Sequence, residues 1–448
     1  MTDPREPPPS PVIDAGEGRT TRRANRGAAL REILGSALTR TAVYLMATEV
    51  LGGLLGLVFW AAAARLVPSD AEIGLGAILI AGGTLLAISS TLGFNISLVR
   101  FLPERTGSPV RLINSSVTIG SAVAIVLALA FGLGVGRWFP GLGFLATDPG
   151  LLALFAFFAA VWTISLLFDA AFIGLGQARY VLVRAAVYNT LKIPLPALVA
   201  AALGAPFALL FAWGFALLVS DIATVLVLLP RSVPGYRLRP TIDRAGVSSM
   251  ARYSLANHAT NLLGVVPGLV FPLLVAAVLG PPSAGYFYIA WVLANFLFII
   301  PGSVFTSVLA EGSRWRPGLR GTAVDGLFLS LAILVPALAG VVLAGAWLLQ
   351  ALKPTFLAAT SLLNVLAASS FFVAINSLYI AVLRVERRMR GVVGLYAGTT
   401  VVALALAGPL MLGAGLVGAG LAFAIAQGAG AGYAAVAMIR EGLLRRAV

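Results

Sequence analysis

Cysteine is absent from this sequence, histidine occurs once, and only 17 of its 448 residues are acidic. Without cysteine there is no disulfide, no thiolate metal site and no cysteine nucleophile. A lone histidine, His258, excludes a histidine-built zinc site and leaves no basis for a Ser-His-Asp set. No Gly-x-x-x-x-Gly-Lys-Ser/Thr run occurs, so no P-loop binds ATP here. The closely spaced Gly132, Gly134 and Gly136 have no strand before them, and helix packing accounts for them better than dinucleotide binding. No polar interval is long enough to house a soluble catalytic domain, so an enzyme is not expected. No cofactor is expected either. The basic N-terminus runs into a full-length apolar segment with no small-residue cleavage site, so no signal peptide is read.

What the chain has instead is apolar surface. Hydrophobic residues make up 59% of it, charged residues 11%, and the mean hydropathy is +0.97. Soluble domains are about one-quarter charged, so lipid must be the solvent for most of this chain. The formal charge of +14 would suit a nucleic-acid binder. The basic residues, however, sit in short runs between apolar segments, the pattern of a membrane protein oriented by its loops. No nucleic-acid partner is expected.

Residues 1–40 form a Pro-rich, Arg-rich head that buries no core and is expected to be disordered. A short surface helix is expected over 28–38. Apolar spans follow near 41–66, 73–99, 113–136, 150–175, 180–203, 206–230, 250–279, 284–309, 323–349, 355–383, 391–411 and 413–437. Each meets the roughly 20 residues needed to cross the hydrocarbon. They are long and uniformly apolar rather than alternating, so they read as helices and not as barrel strands. With the N-terminus placed in the cytoplasm, 27 of the 31 Lys and Arg residues fall inside. Arg65, Arg137 and Lys353 fall outside, and Lys192 lies within a span. One missed span would invert this bias downstream, so the charges support both the count and the orientation. The fold class expected is an all-α polytopic protein of the inner membrane, with about twelve transmembrane helices and both termini cytoplasmic.

The polar interval 231–249 divides the spans into a first lobe, 41–230, and a second, 250–440, followed by a tail at 441–448. The halves resemble each other. Val43-Tyr44 leading to Glu49 opens one, and Arg252-Tyr253 leading to His258 opens the other. Pro68 before Gly74 matches Pro281 before Gly285, and Glu104 matches Glu311. The offset stays at about 210 residues. Six spans per half give both halves one orientation, so an axis along the membrane normal should relate them.

At these residues the chain resembles the polysaccharide-exporter branch of the multidrug/oligosaccharidyl-lipid/polysaccharide flippase superfamily. The resembling pieces are Arg65-Leu66-Val67-Pro68 leading to Gly74, and Thr91-Leu92-Gly93-Phe94 leading to Leu98-Val99-Arg100. In the second half they are Leu279-Gly280-Pro281 leading to Ala284-Gly285-Tyr286, and Ile300-Pro301-Gly302-Ser303 leading to Leu309-Ala310-Glu311. Family members carry Gly and Tyr where this chain has Val67 and Ile73. The resemblance implies two six-helix lobes forming a V around a cavity that alternates between membrane faces. It also implies a polyprenyl-diphosphate-linked saccharide as cargo, with glycosyltransferases and a polysaccharide polymerase as possible partners beside membrane lipids. Peptidoglycan-precursor members usually have fourteen spans, so a count of twelve argues against that cargo. A multidrug or cation exporter of the same superfamily, and a scaffold with a vestigial cavity, are the competing readings.

Ionisable residues inside spans mark function, because each costs a few kcal/mol unless paired or wetted. Lys192 is the deepest, about 18 Å into its span at 1.5 Å per residue. Pro194 and Pro196 follow it and should kink the helix. It suits an anionic headgroup or a structural partner equally. Glu49, about 12 Å along the first span, suits a proton, a sodium ion or a basic partner. His258 is its counterpart in the repeat, and Asn95, Asn257 and Asn261 add polarity nearby. These six are the cavity candidates. Asp169 and Asp221 are expected to form structural ion pairs with Arg184 or Arg100.

Overall fold

The computed structural model describes residues 37–104, 108–314 and 319–441. The basic head lies outside the described residues except for its last four. Of the expected surface helix over 28–38 only residues 37 and 38 are described, as the start of the first helix, and of the tail at 441–448 only residue 441. Among the described residues the secondary structure is helical, with no strand.

The first half contains α1 (Ala37–Leu66), α2 (Asp70–Ser90), α3 (Phe94–Glu104), α4 (Pro109–Val135), α5 (Pro149–Gly174), α6 (Ala178–Leu191), α7 (Leu195–Leu203) and α8 (Ala205–Ala223). A π-helical stretch, Thr224–Leu228, carries α8 on to Ser232. The second half contains α9 (Arg244–Leu279), α10 (Pro281–Arg314), α11 (Leu319–Leu352), α12 (Thr360–Val385) and α13 (Met389–Arg440). Ten of the described helical runs are long and apolar enough to cross a membrane. The fifth expected span is not one of them, because it is split into α6 and α7. The eleventh and twelfth are the two arms of α13, which folds back at Gly415. All twelve expected spans therefore correspond to helical segments.

Each break has a local cause. Between α6 and α7, Pro194 lacks an N–H and its ring crowds the carbonyl four residues earlier. The turn is closed by Lys192 N–H to Tyr188 O (3.1 Å) and Ile193 N–H to Thr190 O (3.3 Å). Between α2 and α3, Leu92 and Gly93 both take positive φ, 49° and 77°. Gly415 has φ 57° and ψ −138°, a region open only to glycine.

The two halves meet where α2 crosses α10, and the crossing has almost no side-chain thickness. A Cβ on Gly74 would lie 1.8 Å from the Pro281 carbonyl oxygen, and one on Gly285 would lie 3.2 Å from the Gly74 nitrogen. The two glycines paired by the sequence repeat thus touch each other. At the same end Lys353 Nζ lies 2.6 Å from Asp70 Oδ1. It also donates to the carbonyls of Val67 (3.2 Å) and Pro68 (2.8 Å). Tyr286 donates to Asp70 Oδ2 at 2.7 Å. Toward the other end, α3 meets α9 through Ser97 Oγ and Ser254 Oγ, 2.6 Å apart.

The polar interval between the halves is shorter than expected, running between Ser232 and Arg244, and it is fastened to α4. Tyr236, whose hydroxyl is pushed up by burial and so keeps its proton, donates to Asn114 Oδ1 at 2.8 Å. Asn114 donates to the Arg237 carbonyl at 2.9 Å, and Asp243 N–H to Ser115 Oγ at 2.8 Å. The flanks of the bundle are apolar and open, with Leu343, Leu412 and Leu198 each more than 70% exposed. Such a surface requires lipid.

The crossing predicts that Gly74→Val displaces α10. Overpacking of this kind costs about 1–3 kcal/mol or more. The melting temperature of the purified protein should fall well below that of Gly340→Val, where a side chain meets open space. Equal melting temperatures for the two variants would contradict the packing described.

Candidate functional site

Against the first half lies a cavity of about 460 Å³, lined by residues of α1, α2, α5, α6 and α8 and, from the second half, of α9 and α10. Lys192 forms part of its wall. Ending α6 at the proline break places its side chain under three aromatic rings from three helices. Nζ lies 4.4 Å from the centroid of Trp213, 4.6 Å from Tyr188 and 5.5 Å from Phe59. It donates to Asn189 Oδ1 at 2.7 Å, and the residue is 2% exposed. Aromatic faces attract a cation most strongly when water is excluded. Among the described residues no carboxylate pairs with this ammonium.

Arg184 lines the same cavity and is paired. Nε donates to Asp169 Oδ1 (2.7 Å), and one terminal nitrogen donates to Asp221 Oδ1 (3.0 Å) and Ser165 Oγ (2.6 Å). The other terminal nitrogen donates to Thr224 Oγ1, within the π-helical stretch. This cluster ties α5, α6 and α8 together. A guanidinium 3% exposed and held between two carboxylates has its charge already neutralised by the protein. Arg100 does not join it. It lies 3.8 Å from Glu104, both side chains about half exposed.

Glu49 faces the cavity from α1, is exposed, and has no hydrogen bond or ion pair among the described residues. It also lines a second space of about 480 Å³ between the halves. That space shares Gly264, Trp291 and Asn295 with a third cavity, of about 220 Å³, inside the second half. The three spaces are neighbours, each sharing wall residues with the next, from Lys192 to the second half.

The remaining candidates are placed elsewhere. His258 was expected to face the space between the lobes, opposite Glu49. It instead packs on the break between α2 and α3, 8% exposed. There its Cβ stands 2.9 Å from where a Gly93 Cβ would be, and it contacts the Ser89 backbone. The positive φ at Gly93 lets α9 come this close, and the approach seals the imidazole off. Asn95 accepts from Thr91 Oγ1 at 3.3 Å, and neither it nor Asn257 nor Asn261 lines any of the three spaces. Asn189, Trp213, Asn376 and Gln427 were missed. Each is a polar or amphipathic residue inside an apolar span, and a survey of such residues throughout both halves would have included them.

No protein-family model matches the sequence, and no curated protein matches it. Solved structures do. One is the lipid II flippase MurJ in an inward closed conformation, with 15% identity and a TM-score of 0.74 over 89% of this chain and 87% of that one. Another is an inward-facing multidrug resistance MATE family transporter of the MOP superfamily, with 14% identity and a TM-score of 0.68 over 91% and 100%. A third is the MATE multidrug transporter DinF-BH, with 14% identity and a TM-score of 0.67 over 92% and 96%. This all-helical chain therefore has the fold that MurJ and the MATE transporters share.

Proposed function

We propose that the protein is an alternating-access transporter that carries a diphosphate-linked saccharide on a lipid from the cytoplasmic to the outer leaflet of the inner membrane. The observation that carries this reading is Lys192. It is an ammonium in the wall of an intramembrane cavity, bonded to an amide and to aromatic faces and, among the described residues, to no carboxylate. Arg184, the other cation of the cavity, is held by Asp169 and Asp221. Lysine acts as a point charge for phosphate, and its four-carbon stem lets the ammonium leave the cage when an anion enters. The fold shared with a lipid II flippase supports a lipid-linked cargo. Glycosyltransferases that build such cargo and a polymerase that consumes it are the expected neighbours in the membrane.

A second reading has its own support. Glu49 is exposed, unpaired and placed where the first two spaces join, as the site of a cationic drug or a coupling ion would be. The two readings separate by charge. In a flipping assay with a lipid-linked saccharide, Lys192→Ala should slow transport about tenfold or more, the loss of a contact worth about 1.4 kcal/mol. Lys192→Arg, which still stacks on aromatic rings, should keep most of the rate. If both variants match wild type while Glu49→Gln abolishes efflux of a lipophilic cation, the exporter reading replaces the flippase one.

The energy source follows from the cargo. No ATP motif is present, so gradients or consumption of cargo outside must drive the cycle. A diphosphate carries about two negative charges, and each charge moved through 100 mV is worth about 2.3 kcal/mol, giving about 4.6 kcal/mol. With the cytoplasm negative, outward movement of the anion runs downhill. In proteoliposomes with an imposed potential and no proton or sodium gradient, flipping should accelerate when the starting side is made negative. Rates indifferent to the sign of the potential would shift coupling to ion exchange at Glu49.

A further inference from the structure

The third cavity, inside the second half, differs from the first in one chemical respect. Among the described residues of its wall there is no charge. Three amides face it instead, from Asn295, Asn376 and Gln427. Asn376 is 5% exposed and donates through Nδ2 to Gln427 O (3.0 Å) and Oε1 (2.8 Å). Its own Oδ1 is buried with no partner. A buried amide oxygen left unbonded is expensive, by about 1–3 kcal/mol, and marks a place where a donor is missing. Gln427 Oε1 is taken by Asn376, and its two N–H donors have no protein partner among the described residues. Gln427 therefore offers donors, beside a buried Asn376 oxygen that still lacks one.

Four aromatic residues also line the wall, among aliphatic and hydroxyl side chains. Trp291 meets Phe423 edge to face at 5.0 Å, Phe298 lies 5.5 Å from Phe423, and Trp291 and Phe298 are 5.7 Å apart. Tyr396 also lines the cavity. Ring faces carry partial negative charge, which attracts either a cation or the polarised C–H face of a sugar ring. A cation could use the rings and the amide oxygens but has no use for the amide N–H donors of Gln427. The aromatic cage built for a cation lies in the first half and is filled by Lys192. A sugar ring, with C–H faces and a rim of hydroxyls that both donate and accept, satisfies rings and amides together. The volume of about 220 Å³ is below the roughly 300–1,000 Å³ of drug-sized sites and suits a single ring.

We infer that this cavity is a glycan subsite, in which Asn376 and Gln427 bond the hydroxyls of one sugar residue and the Trp291 and Tyr396 rings cover its faces. The inference rests on the proposed cargo and divides it. The diphosphate belongs to the first half at Lys192, the sugar belongs to the second half, and the middle space borders both.

The test is calorimetric, on the full chain in phospholipid nanodiscs, because alkyl glycoside detergents would compete for the site. Three short-chain prenyl probes are titrated: a sugar diphosphate, the bare diphosphate and a neutral glycoside. Asn376→Ala and, independently, Tyr396→Leu should weaken both sugar-bearing probes about tenfold, as losing one or two buried hydrogen bonds would. Both variants should leave the bare diphosphate unchanged, which also shows that they fold. Lys192→Ala should weaken both diphosphates and spare the neutral glycoside. If Asn376→Ala weakens all three probes alike, or neither sugar-bearing probe depends on it, the subsite is refuted. If the neutral glycoside binds through Asn376 while the bare diphosphate is indifferent to Lys192, the glycan subsite stands and the anion reading at Lys192 falls.

Discussion

Hydrocarbon offers no partner to a backbone N–H or C=O, and the architecture of this chain follows from that constraint. It dictates helices, and it also decides where helices are allowed to stop. The break at Leu92–Gly93 lies against α9, where Ser254 and His258 cover it. The break at Lys192–Pro194 borders the first cavity, with Asn189 and Tyr188 on one side and Trp213 on the other. Irregular backbone within the bundle is thus placed against protein or beside a cavity. Because carbonyls and side chains are released at such points, the breaks are also where polar chemistry gathers. Lys192 is at a break because a helix ends there, and it lines a cavity for the same reason.

The ionisable groups of the first half divide into two kinds. Asp169, Arg184 and Asp221 are paired with one another, with Ser165 and Thr224 taking further guanidinium donors. Such a cluster locks three helices in register, and removing one member would leave a charge buried alone. Lys192 and Glu49 have no partner of opposite charge among the described residues, and these two are the groups free to meet something that enters. One is sheltered by rings and the other stands in the open. The lining accordingly changes across the three spaces, from ionic beside α6 to purely dipolar beside α12 and α13.

Much of the fold was legible in the sequence. Span positions followed from hydropathy, and the kink after Lys192 from Pro194. The closeness of the halves was foreshadowed by Gly74 and Gly285, which occupy matching places and prove to touch. Depth could be counted at 1.5 Å per residue, so Lys192 was recognised as lying deep. Facing could not be counted. In a helix apolar on every side the pattern has no preferred direction, and so His258 was assigned to a cavity when it packs against the α2–α3 break. The cage around Lys192 was hidden for another reason. Its rings come from α1, α6 and α8, and no local spacing links Phe59, Tyr188 and Trp213. Asn376 and Gln427 lie 51 residues apart and meet only once α12 packs on α13.

The seat of Lys353 carries one more consequence. One carboxylate oxygen of Asp70 and two main-chain carbonyls, from Val67 and Pro68, converge on its ammonium. Three oxygens around a single positive charge form the kind of coordination shell that a dissolved alkali cation would seek. Here the cation is covalently part of the chain. Occupancy of that shell is then set first by the reach of a side chain, and salt acts on it only by screening the pair. The two halves are clasped at this end by an internal counter-ion, so the clasp needs no ion from solution to close, although salt screening weakens its charge–charge part.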